Sequence, residues 1–103
     1  MHNRVVRIHR LGGPEVLSLE QAEPREPAVG EALVRIQAIG LNRSEAVDRS
    51  GQYLIPPKLP SLMGYEACGT LEAVGAGVSG FTVGEPVCVL PNFRMGEYGV
   101  YAD

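Results

Sequence analysis

Glycine and proline divide this chain into short apolar stretches, and that spacing limits what the chain can fold into. The 103 residues include 13 glycines and eight prolines, and the stretches between them alternate in polarity for only a few positions at a time. Alternation with a period of two is typical of strands, whereas glycine and proline favour turns. The sequence therefore predicts one small domain of short strands joined by tight turns.

Strand patterns recur along the whole chain. They are found at residues 5–9, 16–20, 31–39, 67–74, 87–90 and 97–102. The first two flank the turn LGGPE and predict a hairpin. Closely spaced short strands favour a small antiparallel barrel, in which glycine is needed where strands bend or backbones approach closely.

One helix is predicted, over residues 43–50. Asn42 is followed three positions later by Glu45, which matches a capping box, and Gly51 fits a C-terminal stop. Asn42 is therefore expected to serve as an N-cap, whatever else it does.

Composition and charge exclude several classes of function. The net charge is −3 and there is no Lys/Arg cluster, which argues against a nucleic-acid partner. No apolar run approaches the roughly 20 residues that span a bilayer, so no membrane segment is predicted. Cys68 and Cys88 are too few for a disulfide framework and lack zinc spacing, so we expect two buried thiols in a reducing compartment, the cytoplasm. His2 and His9 are expected to be solvated or to lie on a strand face.

The segment GYEACGTLEAVGAGVSGFTVGEPVCV, residues 64–89, resembles the signature of the medium-chain dehydrogenase/reductase superfamily. In that family Gly-His-Glu precedes a glycine-rich strand, and Val-Gly, Val, Phe and Gly-Asp follow in order. VRIQAIGLNRSEAVDRSGQY, residues 34–53, and GEYGVYAD, residues 96–103, resemble its neighbouring segments. The resemblance implies a GroES-like domain over residues 1–103: mainly β, a small antiparallel barrel with one or two short helices.

The resemblance also indicates the zinc-free branch. Zinc alcohol dehydrogenases place cysteine and histidine where this chain has Asn42 and Tyr65, and neither an amide nor a phenol is a good zinc ligand. The pattern GLN…RSGQY is instead similar to the zinc-free quinone oxidoreductases, whose asparagine and tyrosine line the cleft near the nicotinamide. It implies catalytic and cofactor-binding roles for Asn42 and Tyr53. Tyr65, in the position of the metal ligand, is a third candidate catalytic residue, and no metal site is predicted.

Some of these residues also have purely structural explanations. Tyr53 could pack on the prolines at 56–57 rather than face a substrate. Glu66 is expected to be a structural carboxylate, and because a buried carboxylate must be paired, Arg43 or Arg49 is its expected partner.

The activity that the resemblance implies is hydride transfer from NADPH to a quinone or an α,β-unsaturated carbonyl. A Rossmann domain would bind most of the cofactor, and residues 1–103 contain no dinucleotide fingerprint. We therefore expect the chain alone to be inactive and the full-length enzyme to be a homodimer. Two alternatives stay open: a stand-alone GroES-like structural module of the co-chaperonin type, and an alcohol dehydrogenase-like enzyme acting on another carbonyl or alcohol.

Overall fold

Two three-stranded antiparallel sheets form the framework of the domain. The computed structural model describes residues 3–23, 25–94 and 96–103. The strands are β1 Arg4–Ile8, β2 Leu17–Gln21, β3 Ala32–Gly40, β4 Ser61–Leu62, β5 Glu66–Val74 and β6 Pro86–Val89. One sheet has the order β2-β1-β4 and the other β3-β5-β6. With one α-helix, α1 (Arg43–Ser50), and one 3-10 turn (Pro14–Val16), the predicted mainly β, antiparallel class is confirmed. His2 lies outside the described residues.

The predicted hairpin of β1 and β2 carries the centre of the core. The two strands pair in register from Arg4 opposite Gln21 to Ile8 opposite Leu17. Ile8 is fully buried and packs with Val16 and Met63. Burial of each such apolar side chain stabilises the fold by about 1.5–3 kcal/mol.

The second sheet depends on a close approach between backbones. A Cβ atom added to Gly69 of β5 would lie 2.8 Å from the carbonyl carbon of Arg35 on β3. Because a backbone carbonyl cannot move aside as a side chain can, only glycine fits at this position. This is the kind of close approach that the glycine-rich sequence predicts.

Helix α1 has the bounds that the sequence predicts. The Glu45 carboxylate accepts a hydrogen bond from the backbone N–H of Asn42, which forms one half of the capping box. The helix ends at Gly51, whose φ of 84° lies in the left-handed region that favours glycine. Among the described residues, no helix has both the length and the apolar character to cross a bilayer.

The predicted strand over residues 97–102 is wrong. The backbone N–H groups of Val100 and Tyr101 both donate to the carbonyl of Met63, so the chain turns here instead of running extended. Only Ala102 forms a bridge, to Val5 of β1. Strand β4 was not predicted, because two residues are too short to show a period.

The prediction of two buried free thiols is also wrong. Cys68 and Cys88 form a disulfide between β5 and β6, and both residues are exposed. They stand directly opposite each other in the antiparallel ladder, which brings their sulfur atoms together. Counting cysteines does not reveal this register.

Candidate functional site

Two of the three predicted site residues meet through their hydroxyl groups. Tyr53 follows the end of α1 and Tyr65 precedes β5, and their phenolic oxygens are 3.3 Å apart. Both side chains belong to half-buried residues. A phenolic hydroxyl can both donate and accept a hydrogen bond, so the pair places two such groups side by side.

Asn42, the third predicted residue, contacts the residue that follows Tyr65. Its amide nitrogen donates to the Glu66 carboxylate over 3.3 Å. Its side chain also lies at the backbone N–H of Glu45, which is the second half of the capping box. Asn42 therefore stands at the N-cap position, as the sequence predicts, and its amide nitrogen is directed toward the start of β5.

The expected pairing of Glu66 with Arg43 or Arg49 is not what the structure contains. The Arg49 guanidinium donates to the carbonyl of Gly12 over 3.2 Å, and Glu66 accepts from Asn42 instead. Glu66 is only half-buried, so solvent contributes to its stabilisation and no arginine is required.

Gly40 makes room for the Glu66 side chain. It pairs with Glu66 across β3 and β5, and a Cβ atom at Gly40 would lie 2.5 Å from Cγ of Glu66. A larger residue would displace the Glu66 side chain from its position over β3. The contact between Glu66 and Asn42 therefore depends on the missing side chain at Gly40.

Two aromatic residues that the sequence did not single out extend the tyrosine pair. Phe93 packs edge-on against Tyr65, with ring centroids 5.7 Å apart, and Tyr98 packs edge-on against Phe93 at 5.3 Å. Phe93 lies in a loop without strand periodicity, and Tyr98 lies in the segment 97–102 that was wrongly predicted as a strand, so neither position was marked as part of a site. The hydrogen bond that the Tyr98 hydroxyl donates to Glu31 raises the pKa of that phenol. The rings form one wall beside Tyr65 and restrict its orientation.

Helix α1 itself carries two buried acidic residues. Glu45 is 2% exposed and Asp48 is 1% exposed. Burial raises the pKa of Tyr101 to about 12, and the neighbouring Glu45 charge adds to this effect. Burial also raises the pKa of Asp48. Within the described part of the chain, Glu45 Oε1 and Asp48 Oδ2 have no hydrogen-bond partner.

The donor atoms at the site do not fit zinc. The amide of Asn42 and the phenol of Tyr65 are weak ligands, and Cys68 is taken up in a disulfide. His9 lies elsewhere, exposed at the end of β1, with its Nε2 2.6 Å from Glu20. Across residues 3–23, 25–94 and 96–103, no three His, Cys, Asp or Glu residues lie in a group that could hold a metal ion.

Known proteins similar to this chain include several quinone oxidoreductases. The chain is 44% identical over 98 residues to the quinone oxidoreductase of Pseudomonas aeruginosa, and the aligned region covers 95% of this chain and 29% of that protein. It is 41% identical over 93 residues to quinone oxidoreductase 1 of Escherichia coli, covering 90% of this chain and 28% of that protein. The chain thus spans less than a third of the length of these relatives.

Solved structures with the same fold include two that cover most of this chain. The human synaptic vesicle membrane protein VAT-1 homolog-like protein matches with a TM-score of 0.85 and 33% identity, over 99% of this chain and 31% of that one. Escherichia coli quinone oxidoreductase in complex with NADPH matches with a TM-score of 0.78 and 41% identity, over 82% of this chain and 26% of that one. The family model described as "Alcohol dehydrogenase GroES-like domain" matches residues 28–100. Because this match spans most of the sequence, the chain belongs to the alcohol dehydrogenase GroES-like domain family.

Proposed function

We propose that this chain is the N-terminal catalytic domain of a zinc-independent, NADPH-dependent oxidoreductase that transfers hydride to a quinone or an α,β-unsaturated carbonyl. The observation that carries the proposal is the pair of hydroxyls of Tyr53 and Tyr65, 3.3 Å apart. Relatives named quinone oxidoreductase, and a neighbouring structure in complex with NADPH, support the same reaction class.

The tyrosine pair would stabilise the reduced acceptor. NADPH, when bound, supplies the hydride. As hydride reaches the acceptor, negative charge develops on its carbonyl oxygen, and a preorganised hydroxyl donor stabilises that charge. In the proposed role, one of the two phenols, Tyr53 or Tyr65, donates to the other, which in turn donates its own proton to the acceptor oxygen. The first hydrogen bond polarises the second donor and strengthens it.

The residues at the site fit only the nicotinamide end of the cofactor. Asn42 and Tyr53 offer neutral hydrogen-bonding groups, which suit an uncharged carboxamide. No glycine-rich loop opens α1, so the described residues offer no cradle for the diphosphate. We propose that a Rossmann domain elsewhere in a longer protein binds that part, and that the 103-residue chain alone is inactive.

Zinc has no part in this proposal. With an amide at Asn42 and a phenol at Tyr65, the carbonyl would be polarised by hydrogen-bond donors and not by a Lewis acid. We also expect the longer protein to be a cytoplasmic homodimer, and light scattering of the intact protein would test the dimer.

A domain exchange tests the proposal. The matched segment of Escherichia coli quinone oxidoreductase 1 is replaced by this chain, and NADPH consumption is followed with a simple benzoquinone. We expect quinone-dependent turnover by the exchanged protein and none by the 103-residue chain. The unaltered Escherichia coli protein is the matched control. An exchanged protein that folds and binds NADPH, yet reduces neither quinones nor enones, would contradict the proposed function.

A further inference from the structure

The disulfide between Cys68 and Cys88 takes no part in the proposed hydride transfer, but its position suggests a chemistry of its own. The two residues lie opposite each other on β5 and β6, with their Cα atoms 4.2 Å apart. They are the two cysteines of the whole sequence. No other thiol of the chain therefore competes for either sulfur.

The disulfide lies on the exposed face of its sheet. Ala67 and Gly69 flank Cys68 on β5 and are buried, whereas Cys68 and its partner Cys88 are exposed. Side chains alternate between the two faces of a strand, so both sulfurs project away from the core. A thiolate from solution can reach an exposed disulfide without unfolding of the domain, because exchange depends on access to a sulfur atom.

The two strands are held together by more than the sulfur–sulfur bond. Residues 67–70 of β5 pair with residues 86–89 of β6. Beyond them, the N–H of Leu71 donates to the carbonyl of Glu85 over 2.9 Å. None of these backbone hydrogen bonds involves a sulfur atom, so we expect them to remain when the disulfide is broken. They keep the two thiols facing each other, which favours closure of the bond on reoxidation.

The disulfide also lines a groove that reaches the Asn42 end of the site. Residues 38–40 of β3, 66–68 of β5 and 88–90 of β6 line this groove, which has a volume of about 360 Å³. Glu66 lies two positions before Cys68, on the same face of β5, and accepts the hydrogen bond from Asn42. A change at the sulfur pair therefore alters the surroundings of Glu66.

We propose that Cys68 and Cys88 form a redox site: a surface dithiol–disulfide couple that a dithiol reductant opens and a disulfide oxidant closes in the folded domain. A thiolate of the reductant attacks one sulfur and breaks the Cys68–Cys88 bond. The other sulfur leaves as a thiolate and takes up a proton. The second thiol of the reductant then displaces the mixed disulfide, so the chain gains two electrons and two protons and the reductant becomes a disulfide. Both steps require only access from solution.

The test compares reduction of the folded and unfolded chain. The chain is incubated with dithiothreitol in buffer or in denaturant, and free thiols are counted over time by alkylation and mass spectrometry. We expect two thiols to appear in the folded chain at a rate within about tenfold of that in the unfolded chain, since both cysteine residues are exposed. Glutathione disulfide should then restore the bond. The far-ultraviolet circular dichroism should stay constant throughout.

Amide NMR spectra provide a second measurement, because reduction should shift the resonances of Asn42 and Glu66. The double variant Cys68→Ser, Cys88→Ser is the control and should not respond to either reagent. The proposal is overturned by a bond that opens only in denaturant. It is equally overturned by thiols that stay free in the presence of glutathione disulfide.

Discussion

Removal of the Glu45 carboxylate tests how α1 is held in position. In Glu45→Ala the Asn42 N–H loses a charge-assisted hydrogen bond, worth about 2 kcal/mol, and the helix N-terminus loses a favourable charge, worth about 0.5 kcal/mol. In the parent, Glu45 Oε1 is buried without a hydrogen-bond partner, which is unfavourable. The variant removes this cost, and that offsets about 1 kcal/mol of the loss of stability. The expected loss of stability is about 1.5 kcal/mol, or a fall in Tm of about 10 °C for a domain of this size.

Two measurements on this variant check the reasoning. Thermal unfolding gives the Tm, and the pH dependence of the Tyr101 ring resonances in NMR spectra gives the ionisation of that phenol. The pKa of Tyr101, about 12 in the parent, should fall because the Glu45 charge is gone, yet stay above the usual value because burial is the larger cause. Glu72→Ala is the matched control: Glu72 is an exposed carboxylate that pairs with Arg35 over 2.8 Å, so its loss should change Tm little. An unchanged or raised Tm in Glu45→Ala would refute this account of the helix start.

Three further predictions follow from the site. Gly40→Ala should displace Glu66 and shift the side-chain amide resonance of Asn42 in NMR spectra, because a Cβ there lies 2.5 Å from Glu66 Cγ; an unmoved resonance would contradict this. Asp48 has a raised pKa, so its contribution to stability is fully present below its unfolded pKa and is lost as pH rises through its folded pKa. Urea unfolding is therefore measured from below the unfolded pKa of Asp48 to above its folded pKa. The stability of Asp48→Asn should rise relative to that of the parent as pH increases, and a stability difference that does not change with pH would contradict this prediction. Elemental analysis of the domain-exchanged protein, purified without chelator, should find no stoichiometric zinc. Activity that is lost on chelation and restored by zinc would reverse the assignment to the zinc-free branch.

Local patterns predicted the elements whose determinants lie close together in sequence. Helix α1 begins and ends at the predicted residues because Asn42, Glu45 and Gly51 act within a few positions of one another. Most of the strands were also predicted, because the alternation of apolar and polar residues is a pattern of neighbouring positions. The last predicted strand failed because a distant carbonyl, that of Met63, captures the N–H groups of Val100 and Tyr101.

The site was predictable only in part, because its contacts join distant segments. The resemblance pointed to Tyr53 and Tyr65, and the structure brings their hydroxyls together. It gave no indication of Phe93, whose contact with Tyr65 depends on the path of a loop. The disulfide was missed because facing positions across two strands depend on register, which composition does not encode.

The role of the tyrosine hydroxyls is tested by the quinone reductase activity of tyrosine variants in the domain-exchanged protein. Tyr53→Phe and Tyr65→Phe each remove one hydroxyl, and the double variant removes the whole pair while keeping both rings. We expect the double variant to lose about a hundredfold in kcat/KM, because a charge-stabilising donor is gone, with unchanged affinity for NADPH and unchanged Tm. A double variant that retains the parent kcat/KM would contradict the claim that these hydroxyls act on the acceptor.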